Sequence, residues 1–203
     1  LIGQGSGQRY AAALALAIDA HGDQVRKATE IPYYSHPIAV SALVLEHGGD
    51  EDQAIIGVLH DVVEDCGMKW LDGIRTYFGD RVADGVVGCS DCAPADGEAK
   101  APWRDRKETY LRHLETASPD VLIVSACDKL HNAGAIVSDL EDIGVAVFSR
   151  FTAGQEGTLW YYESLARVFG RRLRGSHPRL AARLSDMVSR MKALSEKDTR
   201  AFV

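Results

Sequence analysis

The stretch His60-Asp61-Val62-Val63-Glu64-Asp65 follows directly on the apolar run Ala54-Ile55-Ile56-Gly57-Val58-Leu59. On a helix, at about 100° per residue, His60, Asp61, Glu64 and Asp65 fall in one arc of less than half the circumference, while Val62 and Val63 point to the other side. One helix is therefore expected to carry an apolar face and a chemical face. Burying an uncompensated charge costs on the order of several kcal/mol even after relaxation. Polar and charged groups set beside a core-forming run need a strong partner, and a metal ion is the simplest one.

Outward from this stretch, Asp50 is the expected cap of the helix, which is expected to end near Gly67. Upstream, His36-Pro37 opens a helix running through Ile38, Val40, Leu43 and Val44 to Gly48-Gly49, with proline at the first turn, where its missing N–H is harmless. Arg9 to His21 reads as the first helix, stopped by Gly22. The polar segment Asp23 to Ser35 between them is a loop, since Pro32 bars a helix interior. Downstream, Met68 to Phe78 and Arg81 to Cys89 read as two short amphipathic helices around Gly79-Asp80, Ala93 to Pro102 as a mobile loop, and Trp103 to Glu115 as a charged helix.

The most apolar stretch, Val121 to Cys127, follows the cap and acidic first turn of Ser118-Pro119-Asp120. Periodicity alone would allow a buried strand. The pattern continues into Asp128-Lys129-Leu130-His131-Asn132-Ala133, and no other segment offers a strand partner, so a helix is expected. Asp139 to Val147 has no clear pattern; Gln155 to Arg174 and Pro178 to Ala201 are the closing helices. About ten helices and no convincing strand predict an all-α fold, with the first seven or so making the site and the last two packing around them. The expected organisation is a flexible leader over residues 1–8 and a single helical-bundle domain over 9–203.

The 203 residues, 46% hydrophobic and 26% charged, suit one substantial folded domain. A net charge of −6 and a pI near 5.6 argue against a general grip on nucleic acid. There is no apolar run of transmembrane length and no signal pattern, so a cytoplasmic protein without a membrane role is expected. Assembly into a homo-oligomer stays open. Of the four cysteines, Cys66, Cys89, Cys92 and Cys127, the pair Cys89 and Cys92 has zinc-type spacing but lacks a second pair. Reduced, mostly buried thiols are expected.

Asp128 and Asn132 are four residues apart and share a helix face, and Asp128 follows seven residues without charge. A carboxylate placed there is either paired or bound to metal. His36, His60, Asp61 and Asp128 make a set of two imidazoles and two carboxylates that suits Mn, Fe, Zn or Mg. Glu64, on the same helix face as the proposed ligands, is the natural base or water-orienting group. His131 reads as a supporting residue behind Asp128, and His21, His47, His113 and His177 as ordinary core or surface residues.

The segments His21-Gly22-Asp23-Gln24-Val25-Arg26-Lys27, Pro32-Tyr33-Tyr34-Ser35-His36-Pro37, His60-Asp61-Val62-Val63-Glu64-Asp65 and Asp128-Lys129-Leu130-His131-Asn132 resemble, in order and spacing, the HD-type hydrolase domain of the RelA/SpoT alarmone enzymes. The likeness spans roughly Arg9 to Tyr162, and no synthetase domain follows, so the chain looks like a stand-alone small alarmone hydrolase. The resemblance implies an HD-type bundle and Mn2+-dependent removal of the 3′-pyrophosphate from guanosine tetra- or pentaphosphate, giving GDP or GTP and pyrophosphate. It implies that His36, His60, Asp61 and Asp128 hold the metal, that Glu64 and Asp65 activate water, and that Asn132 positions the nucleotide. Arg26 and Lys27 would line the nucleotide pocket, with Arg26 stacking on the base. A leaving pyrophosphate needs positive charge, for which Arg104, Arg106 and Lys107 are candidates, and Trp160 and Tyr161 would close the pocket. Lys129 and Cys66 stand where the bifunctional enzymes usually carry arginine and threonine. The alternatives are a related phosphohydrolase acting on adenosine alarmones, a nucleotide monophosphate or the 2′-phosphate of NADPH, and a module that binds a nucleotide without hydrolysing it.

Overall fold

Asp50 starts the helix that organises the first half of the chain. Its backbone is extended, its side chain accepts from the Gln53 N–H, and the Gln53 side chain accepts from the Asp50 N–H in a capping box. In the computed structural model, which describes residues 7–90 and 101–200, this is α3 (Glu51–Leu59), preceded by α1 (Gln8–His21) and α2 (Ser35–Glu46) and followed by α4 (Val62–Cys66). A short 3-10 turn, Met68–Trp70, leads to α5 (Leu71–Phe78) and α6 (Asp80–Cys89). The later elements are α7 (Trp103–Leu114), α8 (Pro119–Ile143), a 3-10 segment Gly144–Arg150, α9 (Gly154–Arg172) and α10 (Pro178–Arg200). The described residues contain no strand, only an isolated bridge between Val25 and Pro32, so the fold is all-α. The leader position and the loop expected at 93–102 fall largely on residues 1–6 and 91–100, outside the described residues, as does Cys92.

Two compact units divide the chain. The first comprises residues 1–100 and 117–127, the second residues 101–116 and 128–203. In the first, α3 packs against α1, α2 and α6, and Ala54, Ile55, Ile56, Val58 and Leu59 are wholly buried. Such a helix is apolar all round because it is surrounded. Gly85 of α6 lets Ile56 in: a Cβ at position 85 would lie 2.4 Å from Ile56 Cδ1. Ile56→Ala is therefore expected to destabilise by about 2–5 kcal/mol in urea unfolding. In the second unit α9 packs on α10 and α7. Phe169, Leu165, Leu173, Leu180, Leu184 and Met191 form its buried centre.

Arg81 ties three acidic positions of the first unit together, bonding Asp50 and Asp120 at 2.8 Å each and Asp52 at 3.3 Å. The Arg81 hydrogen bonds hold the Asp120 carboxyl below its usual range, against the opposite push of burial. A folded-state pKa below the unfolded one adds stability above the unfolded pKa, about 3.9, and that stability is lost as pH falls through the folded value. Since Arg81 is half exposed, Arg81→Met is expected to cost only about 1 kcal/mol at pH 7, with the difference from wild type narrowing below pH 4 in denaturant titrations. Among the described residues, no helix is long and apolar enough to cross a membrane.

Candidate metal centre

The His60-Asp61 motif does not lie within one continuous helix. α3 ends at Leu59 and α4 begins at Val62, with His60 and Asp61 as the turn between them. Asp61 lies near the bridge region, φ −95° and ψ −8°, while the Asp65 N–H still donates to the Asp61 carbonyl. His60 is buried with the end of α3, Asp61 and Glu64 are half-buried, Asp65 is exposed, and Val62 and Val63 are buried.

His60 Nδ1 lies 2.9 Å from the Gly57 carbonyl. A carbonyl only accepts, so Nδ1 carries the proton, and in the neutral ring Nε2 presents its lone pair. That nitrogen is 3.1 Å from Asp61 Oδ2, which also lies 3.6 Å from Nε2 of buried His36 at the start of α2. The two imidazoles meet edge to face, 5.2 Å between centroids. Lone pairs of a neutral imidazole and a carboxylate facing one another at this distance call for a cation or a proton between them. His36, His60 and Asp128 each offer one ligand atom, and these atoms lie within 4.8 Å of one another. Asp128 directly follows Cys127 in unbroken α8, so the helix itself carries the carboxylate to this position. The donor set, two imidazoles and carboxylate oxygens, fits a divalent metal of the Mn, Fe, Zn or Mg type.

Both Asp128 oxygens have protein donors: Asn132 Nδ2 donates to Oδ1 at 2.6 Å and Lys129 Nζ to Oδ2 at 2.5 Å. Burial pulls the Lys129 amine down, but the charge of Asp128 and its surroundings outweigh this and leave it well above the usual range. Lys129 thus emerges as the buried counter-charge of Asp128, which residue identity alone did not reveal. Two further residues went unrecognised. The Tyr33 hydroxyl donates to Asp61 Oδ2 at 2.7 Å. Buried His21 stacks on the Tyr33 ring, 4.6 Å between centroids, and its Nδ1 lies 3.0 Å from Gln24 Oε1 and 3.5 Å from Cys66 Sγ. Although the Asp65 residue is exposed overall, its carboxyl end is partly shielded from water, and that desolvation, then the charge of Asp61, pushes it up. Burial is also the main reason that the Tyr33 phenol is pushed far above its usual range.

The nucleotide candidates fall on different elements. Arg26 is half-buried and Lys27 exposed, on a tight turn closed by the Arg26 N–H donating to the Ile31 carbonyl. In the second unit, the Arg104 guanidinium lies 3.2 Å over the Trp160 ring while bonding Glu108, and Lys107 Nζ sits 5.0 Å from the Tyr161 ring centroid. Trp103 meets both aromatics edge-on. Arg106 differs, its Nε donating to the Ala101 carbonyl at 3.3 Å.

An all-α bundle with a turn-borne His-Asp pair beside a second histidine and an aspartate defines an HD domain. The family model of the HD domain matches residues 13–159, and the chain belongs to this family. It is 34% identical over 122 residues to a probable guanosine-3′,5′-bis(diphosphate) 3′-pyrophosphohydrolase of Synechocystis, covering 59% of this chain and 16% of that one. It is 30% identical over 131 residues to the bifunctional (p)ppGpp synthase/hydrolase SpoT of Escherichia coli, 62% of this chain and 18% of that one. The guanosine-3′,5′-bis(diphosphate) 3′-pyrophosphohydrolase MESH1 of Xenopus tropicalis is 31% identical over 119 residues, 57% of this chain and 63% of that one. The chain thus matches less than two thirds of each of these relatives. A solved structure described as a metazoan ortholog of SpoT that hydrolyzes ppGpp shares the fold with a TM-score of 0.70 at 22% identity, over 89% of this chain and 93% of that one. The structure of lmo0812 from Listeria monocytogenes superposes with a TM-score of 0.67 at 27% identity, over 80% and 99%.

Proposed function

We propose that this chain is a divalent-metal-dependent hydrolase that removes the 3′-pyrophosphate of guanosine tetra- or pentaphosphate, with Mn2+ as the metal. The observation that supports it most is the convergence of His36, His60 and Asp128, with Asp61 against both imidazoles, in an HD domain whose relatives carry that activity in their names.

His36, His60, Asp61 and Asp128 would hold the ion, which when bound supplies positive charge at a phosphoryl oxygen and a more acidic water. Glu64, three residues past Asp61, accepts a proton from the attacking water, with Asp65 orienting it. The water oxygen bonds to the phosphorus that carries ribose O3′, the bond from that phosphorus to O3′ breaks, and O3′ takes up a proton. GDP or GTP and pyrophosphate result. Asn132, held against Asp128, positions the nucleotide near the scissile bond. Arg26 stacks on the base and Lys27 pairs with phosphate, while Arg104, Arg106 and Lys107 offset the charge of the leaving pyrophosphate, flanked by Trp160 and Tyr161. A guanidinium stacked on an indole keeps its edge N–H groups available to oxygen, and Arg104 has that arrangement.

Incubation of the Mn2+-loaded protein with ppGpp, ppApp and NADPH in parallel, with a chelated control and anion-exchange analysis, tests this. Release of GDP and pyrophosphate from ppGpp, only with metal and faster than cleavage of the others, is the expected result. Preferred cleavage of ppApp or NADPH would reassign the substrate. Metal binding without turnover of any of the three would overturn the assignment.

A further inference from the structure

We infer that Tyr33 is a positioning residue whose hydroxyl aims the Asp61 carboxylate at the metal position. The catalytic half of this inference rests on the proposed hydrolysis; the metal half does not.

A phenol has one proton to donate, and this one is donated at 2.7 Å to Asp61 Oδ2, the same oxygen that faces Nε2 of His36 and of His60. Asp61 lies in the turn between α3 and α4 and is only half-buried, so packing alone leaves its side chain room to turn. A fixed donor does what the backbone there does not. Tyr33 is itself fixed from several sides. Its N–H donates to the Gln24 carbonyl at 2.8 Å, next to the bridge between Val25 and Pro32, and its ring lies between His21, 4.6 Å away, and His36, 6.0 Å away. Donors behind ligating carboxylates orient them, and their loss typically costs about 10–100-fold in metal affinity or activity.

Tyr33→Phe deletes one oxygen and leaves the ring on His21. Isothermal titration of the metal-free protein with Mn2+ is expected to show affinity about 10–100-fold below wild type, and at saturating Mn2+ kcat on ppGpp falls about tenfold or more while KM stays within twofold. Tyr34→Phe, one residue on, is expected to match wild type in both. Unchanged Mn2+ affinity in Tyr33→Phe, or an equal loss in Tyr34→Phe, would overturn the inference, and an unchanged kcat at saturating metal would overturn its catalytic half. If Tyr33→Phe melts below the assay temperature without metal, the Mn2+ concentration that restores the wild-type melting midpoint gives the same answer through linkage: a raised requirement supports the inference and an unchanged one overturns it. If wild type binds Mn2+ but cleaves no nucleotide, the proposed function fails, and the metal half still stands or falls on the titration.

Discussion

Glu64→Gln is expected to bind Mn2+ within about twofold of wild type and to lose about 10²–10⁴-fold of turnover, the usual contribution of a positioned general base. The substitution keeps size and hydrogen-bonding reach but removes the ability to accept a proton. Glu64 is outside the group of ligand atoms formed by His36, His60 and Asp128, and it is half-buried on α4, so the change leaves the donor set intact. Calorimetry and single-turnover kinetics on one metal-replete preparation separate the two effects. Full activity in that preparation would remove Glu64 from the mechanism.

Asp128→Asn is expected to do more damage, in two separable ways. It removes a carboxylate from the metal position, which should abolish tight Mn2+ binding and, if the metal contributes about 4 kcal/mol of transition-state stabilisation, lower turnover by about 10³-fold or more. It also leaves the Lys129 ammonium, now bonded to Asp128 Oδ2 and set 5.5 Å from the Tyr110 ring, without its counter-charge. Removing one partner of a buried ion pair costs about 3–5 kcal/mol, and the lower end is expected here because Lys129 retains some exposure. Combining Asp128→Asn with Lys129→Met should recover most of the stability in urea unfolding and none of the turnover. Recovery of turnover in the double variant would show that Asp128 acts only as a structural counter-ion.

The helices were legible where local chemistry is decisive. Asp50 and Gln53 form the expected cap, and Val121 to Cys127 is helical as the continuation of its pattern implied. Asp139 to Val147 was not legible because two structures share it: α8 runs to Ile143, and a 3-10 segment takes over at Gly144, whose φ is +63°. The break at His60-Asp61 escaped periodicity altogether, since Asp61 retains nearly helical angles and Asp65 still bonds back to it. For the site, His36, His60 and Asp128 were readable as polar residues set against apolar runs, and the structure brings their ligand atoms together. Tyr33 was not, because an aromatic residue in a polar loop carries no periodic signal; its place depends on the bridge between Val25 and Pro32, a tertiary feature of the loop. In the sequence Lys129 stands out only as a departure from a family pattern, although its adjacency to a buried aspartate is a usable cue for a counter-charge.

The central claim is metal-dependent release of intact pyrophosphate from the 3′ position. It is tested most directly by following ppGpp with 31P NMR as Mn2+ is added to the metal-free protein. The account predicts no change before Mn2+, then loss of the 3′-diphosphate signals with stoichiometric growth of pyrophosphate and of the 5′-diphosphate of GDP, stopped again by chelator. Orthophosphate as the first product, or the same rate with and without metal, would contradict it.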